Sequence, residues 1–126
     1  MAVGKPNDTT DGARAEALAA AHLARHGLVV AERNYRVRGG EIDLVCRDGR
    51  TLVFVEVRLR RNGGFGGAAA SITATKRRRL VLAAQHYLAQ RANAPDATCR
   101  FDCVLLDTLA STGIEWIRNA FSADDL

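Results

Sequence analysis

The fold is decided by Gly39-Gly40-Glu41-Ile42-Asp43-Leu44-Val45 and, after a short polar segment, by Leu52-Val53-Phe54-Val55-Glu56-Val57-Arg58. Both stretches are largely apolar, and Asp48-Gly49 between them is a strong signal for a tight hairpin. We therefore predict two antiparallel strands over residues 42–47 and 51–59. Each strand carries carboxylates, and because an unpaired buried charge is costly, those acids call for an explanation.

The predicted turn also sets which residues of the two strands face each other. With Asp48-Gly49 as a two-residue turn, Asp43 is expected opposite Phe54, and Glu41 opposite Glu56. Side chains alternate between the faces of a strand, so each residue can be assigned to a face. The acidic face is predicted to hold Glu41, Asp43, Phe54, Glu56 and Arg58. The other face is predicted to be wholly apolar and to pack on a helix, with Ile42, Leu44, Val53, Val55 and Val57.

Carboxylates gathered on one face of a hairpin need to be compensated. The acids of the predicted face lie within about 8 Å of one another, and like charges directly opposite each other destabilise a sheet. A raised pKa, an arginine partner or a divalent cation can relieve the repulsion. Arg58 is a built-in partner for Glu56, whereas Mg²⁺ binds through one or two carboxylates with waters and substrate phosphates. The residues alone favour neither structural acids paired with arginine nor a metal site.

The chain length of 126 residues indicates one domain. Residues 1–10 are expected to be a flexible lead-in, residues 11–121 the domain, and residues 122–126 an acidic tail. Two helices are predicted, one over residues 13–26 with Asp11 as its N-cap and Gly27 as its stop, and one over residues 73–91.

Three further strands complete the expected α/β fold. They are predicted over residues 28–37, 99–107 and about 115–118. The resulting order is α-β-β-β-α-β with a short extra C-terminal strand, and a mixed central sheet flanked by helices fits it best. The helix between the third and fourth strands has crossover length, so these two strands can pair in parallel.

Composition limits the function classes only mildly. The net charge of +4 and the pI of about 9.4 are compatible with a polyanionic partner. The three cysteines form no C-x-x-C pair and are expected to be small buried thiols in a reducing compartment. The N-terminus lacks an apolar signal region and no apolar run reaches membrane-spanning length, so a cytoplasmic protein without a membrane partner is expected.

Several motifs taken together resemble one family of small bacterial proteins, the YraN family. They are Gly40-Glu41-Ile42-Asp43-Leu44-Val45, Phe54-Val55-Glu56-Val57-Arg58, Lys76 with its helix, Cys99-Arg100-Phe101-Asp102, Glu115-Trp116-Ile117 and Ala120-Phe121. The resemblance covers about residues 12–121. That family resembles a branch of the restriction-endonuclease-like (PD-(D/E)XK) superfamily and is similar to archaeal Holliday-junction resolvases. The core of the superfamily has the order α-β-β-β-α-β.

The resemblance implies a site that binds Mg²⁺ or Mn²⁺ and no small-molecule cofactor. Asp43 corresponds to the first acidic ligand and Glu56 to the second, with the Val57 carbonyl as a third ligand. Glu16 resembles the first-helix glutamate of resolvase-like members. Lys76 resembles a basic residue of the second helix that meets phosphate. On periodicity alone, Glu16 would instead be a residue at the edge of the apolar stripe.

Arg58 departs from the superfamily pattern, which has lysine there. Arginine stays protonated and cannot act as a base, so the activation of water would fall to the metal. Its guanidinium can still clamp the scissile phosphate and stabilise developing charge. The resemblance therefore gives Arg58 a catalytic role different from that of a lysine.

Basic residues border the acidic face and open the second helix. The predicted nucleic-acid contacts are Arg36, Arg38, Arg60, Arg61, Lys76, Arg77 and Arg79. Neutralised phosphates supply most of the affinity for nucleic acids, and a helix N-terminus can also receive a phosphate. The plain alternative is a solvated charged face. The glycine-rich residues 63–67 are expected to form either a flap over the substrate or a simple connection.

Three functions follow from these features. The leading hypothesis is a Mg²⁺-dependent endonuclease-like protein that hydrolyses phosphodiester bonds in DNA, branched or damaged DNA included. The second is a nucleic-acid-binding module without catalysis, in which Arg58 neutralises the acids. The third is a protein-interaction module that retains only the fold. The oligomeric state is left open, with a homodimer among the alternatives.

Overall fold

The computed structural model describes residues 10–59, 72–90 and 98–123. The predicted lead-in before Thr10, the glycine-rich segment with Arg60 and Arg61, and the end of the acidic tail lie outside these residues. The elements are α1 (Asp11–Arg25), β1 (Val29–Val37), β2 (Gly40–Asp48), β3 (Thr51–Leu59), α2 (Ala74–Gln90), β4 (Cys99–Leu106) and β5 (Ile114–Phe121).

The strands form one five-stranded mixed sheet in the order β1-β2-β3-β4-β5. β3 and β4 pair in parallel, and the other neighbours are antiparallel. The helix α2 supplies the crossover between the two parallel strands, as a connection of that kind requires. The predicted α/β class and the element order of a restriction-endonuclease-like core, with an added C-terminal strand, are confirmed.

α1 starts at Asp11, two residues earlier than predicted, and its N-cap lies one residue earlier than predicted. Thr10, not Asp11, is its N-cap: the Thr10 backbone is extended, and its Oγ1 accepts a hydrogen bond from the Ala13 N–H at 3.1 Å. Asp11 lies in the first turn, where its charge favours the helix dipole. At the other end Gly27 has a φ of 94°, which confirms it as the stop.

Each face of the sheet carries its own apolar core. Leu44, Val53 and Val55 pack with the buried alanines of α1, whereas Phe54 packs with Leu80 and Tyr87 of α2. The three cysteines are free, Cys46 and Cys103 being buried and Cys99 half-buried, as expected of small apolar residues. Burial raises the pKa of the Cys46 thiol to about 12, so this thiol is inert.

The hairpin register differs from the predicted one by two residues. Asp48 pairs with Thr51 and Leu44 with Val55, so the turn is Gly49-Arg50 and not Asp48-Gly49. Gly49 has the positive φ, 62°, that two-residue hairpins need in the loop, and Asp48 remains in the ladder. The predicted pairs of Asp43 with Phe54 and Glu41 with Glu56 are therefore wrong. A shift by two does not by itself exchange the two faces, and it ends the ladder at the pair of Leu44 with Val55, next to Asp43 and Glu56.

In β2 the alternation of side chains between the two faces of the sheet is interrupted at Asp43. One of the two predicted faces is therefore partly wrong. Ile42 packs in the core under α2, but Leu44 packs in the core under α1. Asn34 of β1 lies level with Asp43, between the pairs Arg33–Leu44 and Tyr35–Ile42, and has a φ of 53°. This left-handed residue interrupts the regular pleat. Ile42 consequently does not share the predicted wholly apolar face.

A fully buried aspartate attaches β5 to the sheet. Asp102 of β4 is 0% exposed, and it accepts hydrogen bonds from Arg100 Nε, from Trp116 Nε1 at 2.9 Å and from the Asn119 N–H at 3.0 Å. Arg100 also reaches Asp48 at 3.0 Å. A buried carboxylate is tolerated when it is paired in this way. Asp102 therefore has an architectural role.

Neither helix within residues 10–59, 72–90 and 98–123 is long and apolar enough to cross a membrane.

The approach of α2 to β2 generates a stability prediction. A Cβ at Gly40 would lie 2.6 Å from the Arg79 carbonyl oxygen and 3.1 Å from the Ala83 nitrogen. Gly40→Ala is therefore expected to lower the free energy of unfolding by about 1–3 kcal/mol, because backbone cannot easily yield. Urea denaturation measures this.

Gly12→Ala is the matched control. A Cβ at Gly12, inside α1, meets only Thr10 Oγ1 at 3.9 Å. This change is expected to raise the free energy of unfolding by up to about 1 kcal/mol through helix propensity. Equal effects of the two substitutions would contradict the close contact at Gly40.

Candidate active site

Two buried carboxylates lie next to each other where β2 begins and β3 nears its end. Asp43 and Glu56 are each 8% exposed, and each lies one residue beyond the last pair of the β2–β3 ladder, Leu44 with Val55. Asp43 Oδ2 accepts a hydrogen bond of 2.8 Å from the Val57 N–H. The side chain of Asp43 thus takes up a backbone donor of β3, which fixes it between the two strands.

The two acids raise each other's cost of ionisation. Burial and the Glu56 carboxylate raise the pKa of Asp43 to about 8, although the Val57 N–H opposes this shift. Burial also raises the pKa of Glu56, and the charges of Lys76 and Arg58 counteract that shift. The pair therefore combines desolvation with like charge, the arrangement typical of functional carboxylates.

The first turns of α2 bring two cations to this end of the sheet. Lys76 Nζ lies 3.6 Å from Glu56 Oε2, and Arg79 Nη2 lies 3.3 Å from Glu41 Oε1. Thr73 Oγ1 accepts a hydrogen bond from the Lys76 N–H and so caps the helix. The four charged side chains line a pocket of about 80 Å³. Lys76 therefore lies beside one of the predicted metal ligands, and its role at phosphate stays a prediction.

Glu16 approaches the same acids from α1. Burial raises its pKa, while a hydrogen bond from the Asn34 side chain and the charge of Arg36 oppose the shift. The carboxylates of Glu16 and Glu41 both add to the raised pKa of Asp43. The structure therefore brings Glu16 into electrostatic range of the predicted ligands, on the opposite face of the sheet from α2.

The remaining predicted basic residues are placed differently. Arg36 and Arg38 are exposed, and Arg58 is half-buried with its charge acting on Glu56. The Arg77 guanidinium lies 5.9 Å from the ring centroid of Phe121, so it is directed towards β5. Its role as a nucleic-acid contact stays a prediction, as do those of Arg60 and Arg61, which lie outside the described residues.

Comparison with known sequences gives a consistent result. The uncharacterised protein family UPF0102 matches residues 15–106. The chain belongs to UPF0102, the YraN family. A UPF0102 protein of Dechloromonas aromatica is 64% identical over 96% of this chain and 98% of its own length. Relatives in Methylobacillus flagellatus and Cupriavidus taiwanensis are each 57% identical, over 89% and 95% of this chain and over 96% and 88% of their own lengths. The predicted family is confirmed.

The oxygen atoms near Asp43 in this UPF0102 protein could supply part of the coordination shell of a hard cation. No group of three or more His, Cys, Asp or Glu side chains able to hold a metal occurs among residues 10–59, 72–90 and 98–123. Asp43, Glu56 and the Val57 carbonyl nevertheless offer oxygen ligands, and Mg²⁺ characteristically uses one or two carboxylates and keeps several waters. A divalent cation would also remove the repulsion between the two buried acids. These residues therefore fit Mg²⁺ or Mn²⁺ with water completing the shell.

Two features of the UPF0102 site were missed by the sequence analysis. One is the Arg79–Glu41 ion pair, although the three-residue spacing of Lys76 and Arg79 does put both on one helix face. The other is Asn34, whose side chain contacts Glu16. The sequence did contain a signal for it, because Asn34 lies within a predicted strand. Strands rarely contain asparagine, and asparagine tolerates a positive φ.

The raised pKa of Asp43 predicts how stability depends on pH. The native state holds a proton on Asp43 up to about pH 8, whereas the ordinary pKa of an aspartate side chain is 3.8. The free energy of unfolding should therefore fall as the pH rises between these values, because the unfolded chain releases the proton first. Asp43→Asn removes this pH-dependent loss of stability, and its side-chain oxygen can still accept the hydrogen bond from the Val57 N–H. Stabilisation of roughly 1–2 kcal/mol near pH 8, shrinking towards pH 5, is expected.

Urea denaturation at pH 5, 6.5 and 8 in EDTA measures this. Asp11→Asn, which removes a half-buried acid from the first turn of α1, controls for the loss of one negative charge. A destabilising effect of Asp43→Asn at pH 8 would contradict the assigned environment.

Proposed function

We propose that this UPF0102 protein is a metal-dependent endonuclease-like hydrolase that cleaves phosphodiester bonds in DNA, branched or damaged DNA included. One observation carries the proposal: Asp43 and Glu56, both 8% exposed, lie on adjacent strands beside cations contributed by α2. The structural carboxylate Asp102 is surrounded by fixed donors, whereas Glu56 is paired with a partly exposed lysine. A site that handles metal and phosphate needs carboxylates and cations together.

The carboxylates are the proposed metal ligands. Asp43 and Glu56, with the Val57 carbonyl, would hold Mg²⁺ or Mn²⁺. When bound, such an ion supplies Lewis acidity towards phosphoryl oxygens and helps to generate a nucleophile from water. The hydrogen bond from the Val57 N–H holds Asp43 in one orientation, so the ligand is preorganised.

The cations of the site are proposed to bind and orient the phosphate. Arg58 is permanently charged, so it would donate hydrogen bonds to the scissile phosphate and stabilise charge that develops there. Lys76 is 45% exposed at its side chain, which leaves it accessible to a phosphate. Glu16, held by Asn34 and close to Asp43, would act as an auxiliary acid at the edge of the site.

Charge at the surface supports nucleic acid as the substrate. Arg36 of β1 and Arg38 of the turn between β1 and β2 are exposed, and the chain has a net charge of +4. Cations around an acidic centre attract a polyanion and hold its backbone near the metal. A cytoplasmic location belongs to the same proposal, because nucleic acid is found there.

The decisive experiment is incubation of the purified protein with duplex, single-stranded, flap and four-way-junction DNA in Mg²⁺ or Mn²⁺. Cleavage of at least one substrate is expected, with a loss of at least about 100-fold in Asp43→Asn and Glu56→Gln because each removes a charged group from the reacting centre. Denaturing gels measure the rates.

Arg58→Ala and Arg58→Lys refine the test. The alanine variant should lose most activity, while lysine keeps a phosphate-binding charge. No cleavage of any substrate, or equal cleavage by wild type and Asp43→Asn, would refute the nuclease proposal.

A second candidate is a nucleic-acid-binding module without catalysis. The Glu56 carboxylate already has Lys76 at 3.6 Å and the charge of Arg58 nearby, so part of its charge is neutralised without a metal. This candidate predicts DNA binding that persists in EDTA and in Asp43→Asn. Each removed cation should then reduce the slope of log K against log salt by about 1.

A further inference from the structure

Both acids that face α2 are joined to cations of that helix. Lys76 pairs with Glu56, and Arg79 pairs with Glu41. Arg78 of the same helical turn differs, because its Nη2 lies 3.5 Å from Thr75 Oγ1 and the residue is exposed. The helix thus presents two cations to the acids and a third to solvent.

In both ion pairs the cation can be exchanged for another. The side chains of Lys76 and Arg79 are 45% and 51% exposed, and long exposed cations contribute little to stability through such pairs. Glu56, by contrast, is 10% exposed at its side chain, so its charge needs a counter-ion of some kind. Lys76 can leave at small cost only if another cation replaces it.

Resting on the proposed function, we propose that Lys76 and Arg79 are exchangeable counter-ions that couple metal binding to nucleic-acid binding. In the metal-free protein they neutralise Glu56 and Glu41. A divalent cation competes with Lys76 for the Glu56 carboxylate, and the displaced ammonium, with the exposed Arg79 guanidinium beside it, then binds phosphates of the nucleic acid. The pocket that the four side chains line is where this exchange takes place.

The proposed coupling between metal binding and nucleic-acid binding is positive. A bound divalent cation releases Lys76 from Glu56 and so strengthens nucleic-acid binding. By linkage, nucleic acid must strengthen metal binding by the same factor. A simple phosphate-binding surface would show neither effect.

The first experiment is calorimetric titration of the DNA-free protein with Mn²⁺. Lys76→Gln removes the competing ammonium, so it is expected to tighten Mn²⁺ binding by about two- to fivefold. Arg79→Gln should have a smaller effect, because its partner Glu41 is not a proposed ligand. Arg78→Gln is the matched control, with the same loss of charge from the same helix, and should leave Mn²⁺ affinity unchanged.

The second experiment measures binding of a fluorescent duplex oligonucleotide by anisotropy, in EDTA and in Ca²⁺, for the same variants. Wild type should bind severalfold more tightly in Ca²⁺ than in EDTA. The double variant Lys76→Gln/Arg79→Gln should lose most of this ratio, whereas Arg78→Gln should weaken binding equally in both buffers and keep it. Circular dichroism confirms that the variants are folded.

The outcomes separate this inference from the proposed function. Unchanged or weaker Mn²⁺ affinity in Lys76→Gln, with Mn²⁺ binding that still depends on Asp43, would overturn the counter-ion exchange and leave the metal site standing. Absence of Mn²⁺ binding in both wild type and Lys76→Gln would overturn both.

Discussion

The close approach of α2 to the start of β2 is the constraint on which the site depends. Gly40 has no side chain, and the Arg79 carbonyl oxygen and the Ala83 nitrogen occupy the space where a Cβ would be. This contact brings the first turns of the helix down onto the sheet. Lys76 and Arg79 consequently lie over the carboxylates of β2 and β3. A larger residue at Gly40 would separate the cations from the acids as well as loosen the core.

The second constraint is the junction at Asp43. Its carboxylate accepts a hydrogen bond from the Val57 N–H. The regular pleat of β2 is interrupted at the same residue, level with Asn34. In a regular strand Ile42 and Leu44 would both lie on one face and pack under the same helix. In this chain the two neighbours of Asp43 serve different cores, Ile42 under α2 and Leu44 under α1.

Much of the architecture followed from local patterns in the chain. Hydrophobic stretches, the glycine stop of α1 and the hairpin signal predicted the element order, and the two-residue periodicity placed Asp43 and Glu56 on one face. The register could not be predicted, because Asp48-Gly49 and Gly49-Arg50 are both plausible turns. The interrupted pleat, the Arg79–Glu41 pair and the donors of Asp102 depend on contacts between residues distant in the chain, which periodicity does not describe.

The attachment of β5 through Asp102 has a spectroscopic consequence. The chain has a single tryptophan, Trp116, and its indole N–H ends on the most deeply buried carboxylate of the sheet. Arg118 covers the ring with its guanidinium carbon 4.2 Å from the centroid, and His26 contacts its edge at a centroid distance of 5.8 Å. Intrinsic fluorescence therefore reports on the docking of the outermost strand. Emission can thus follow the release of that strand separately from events among the acids on the other strands.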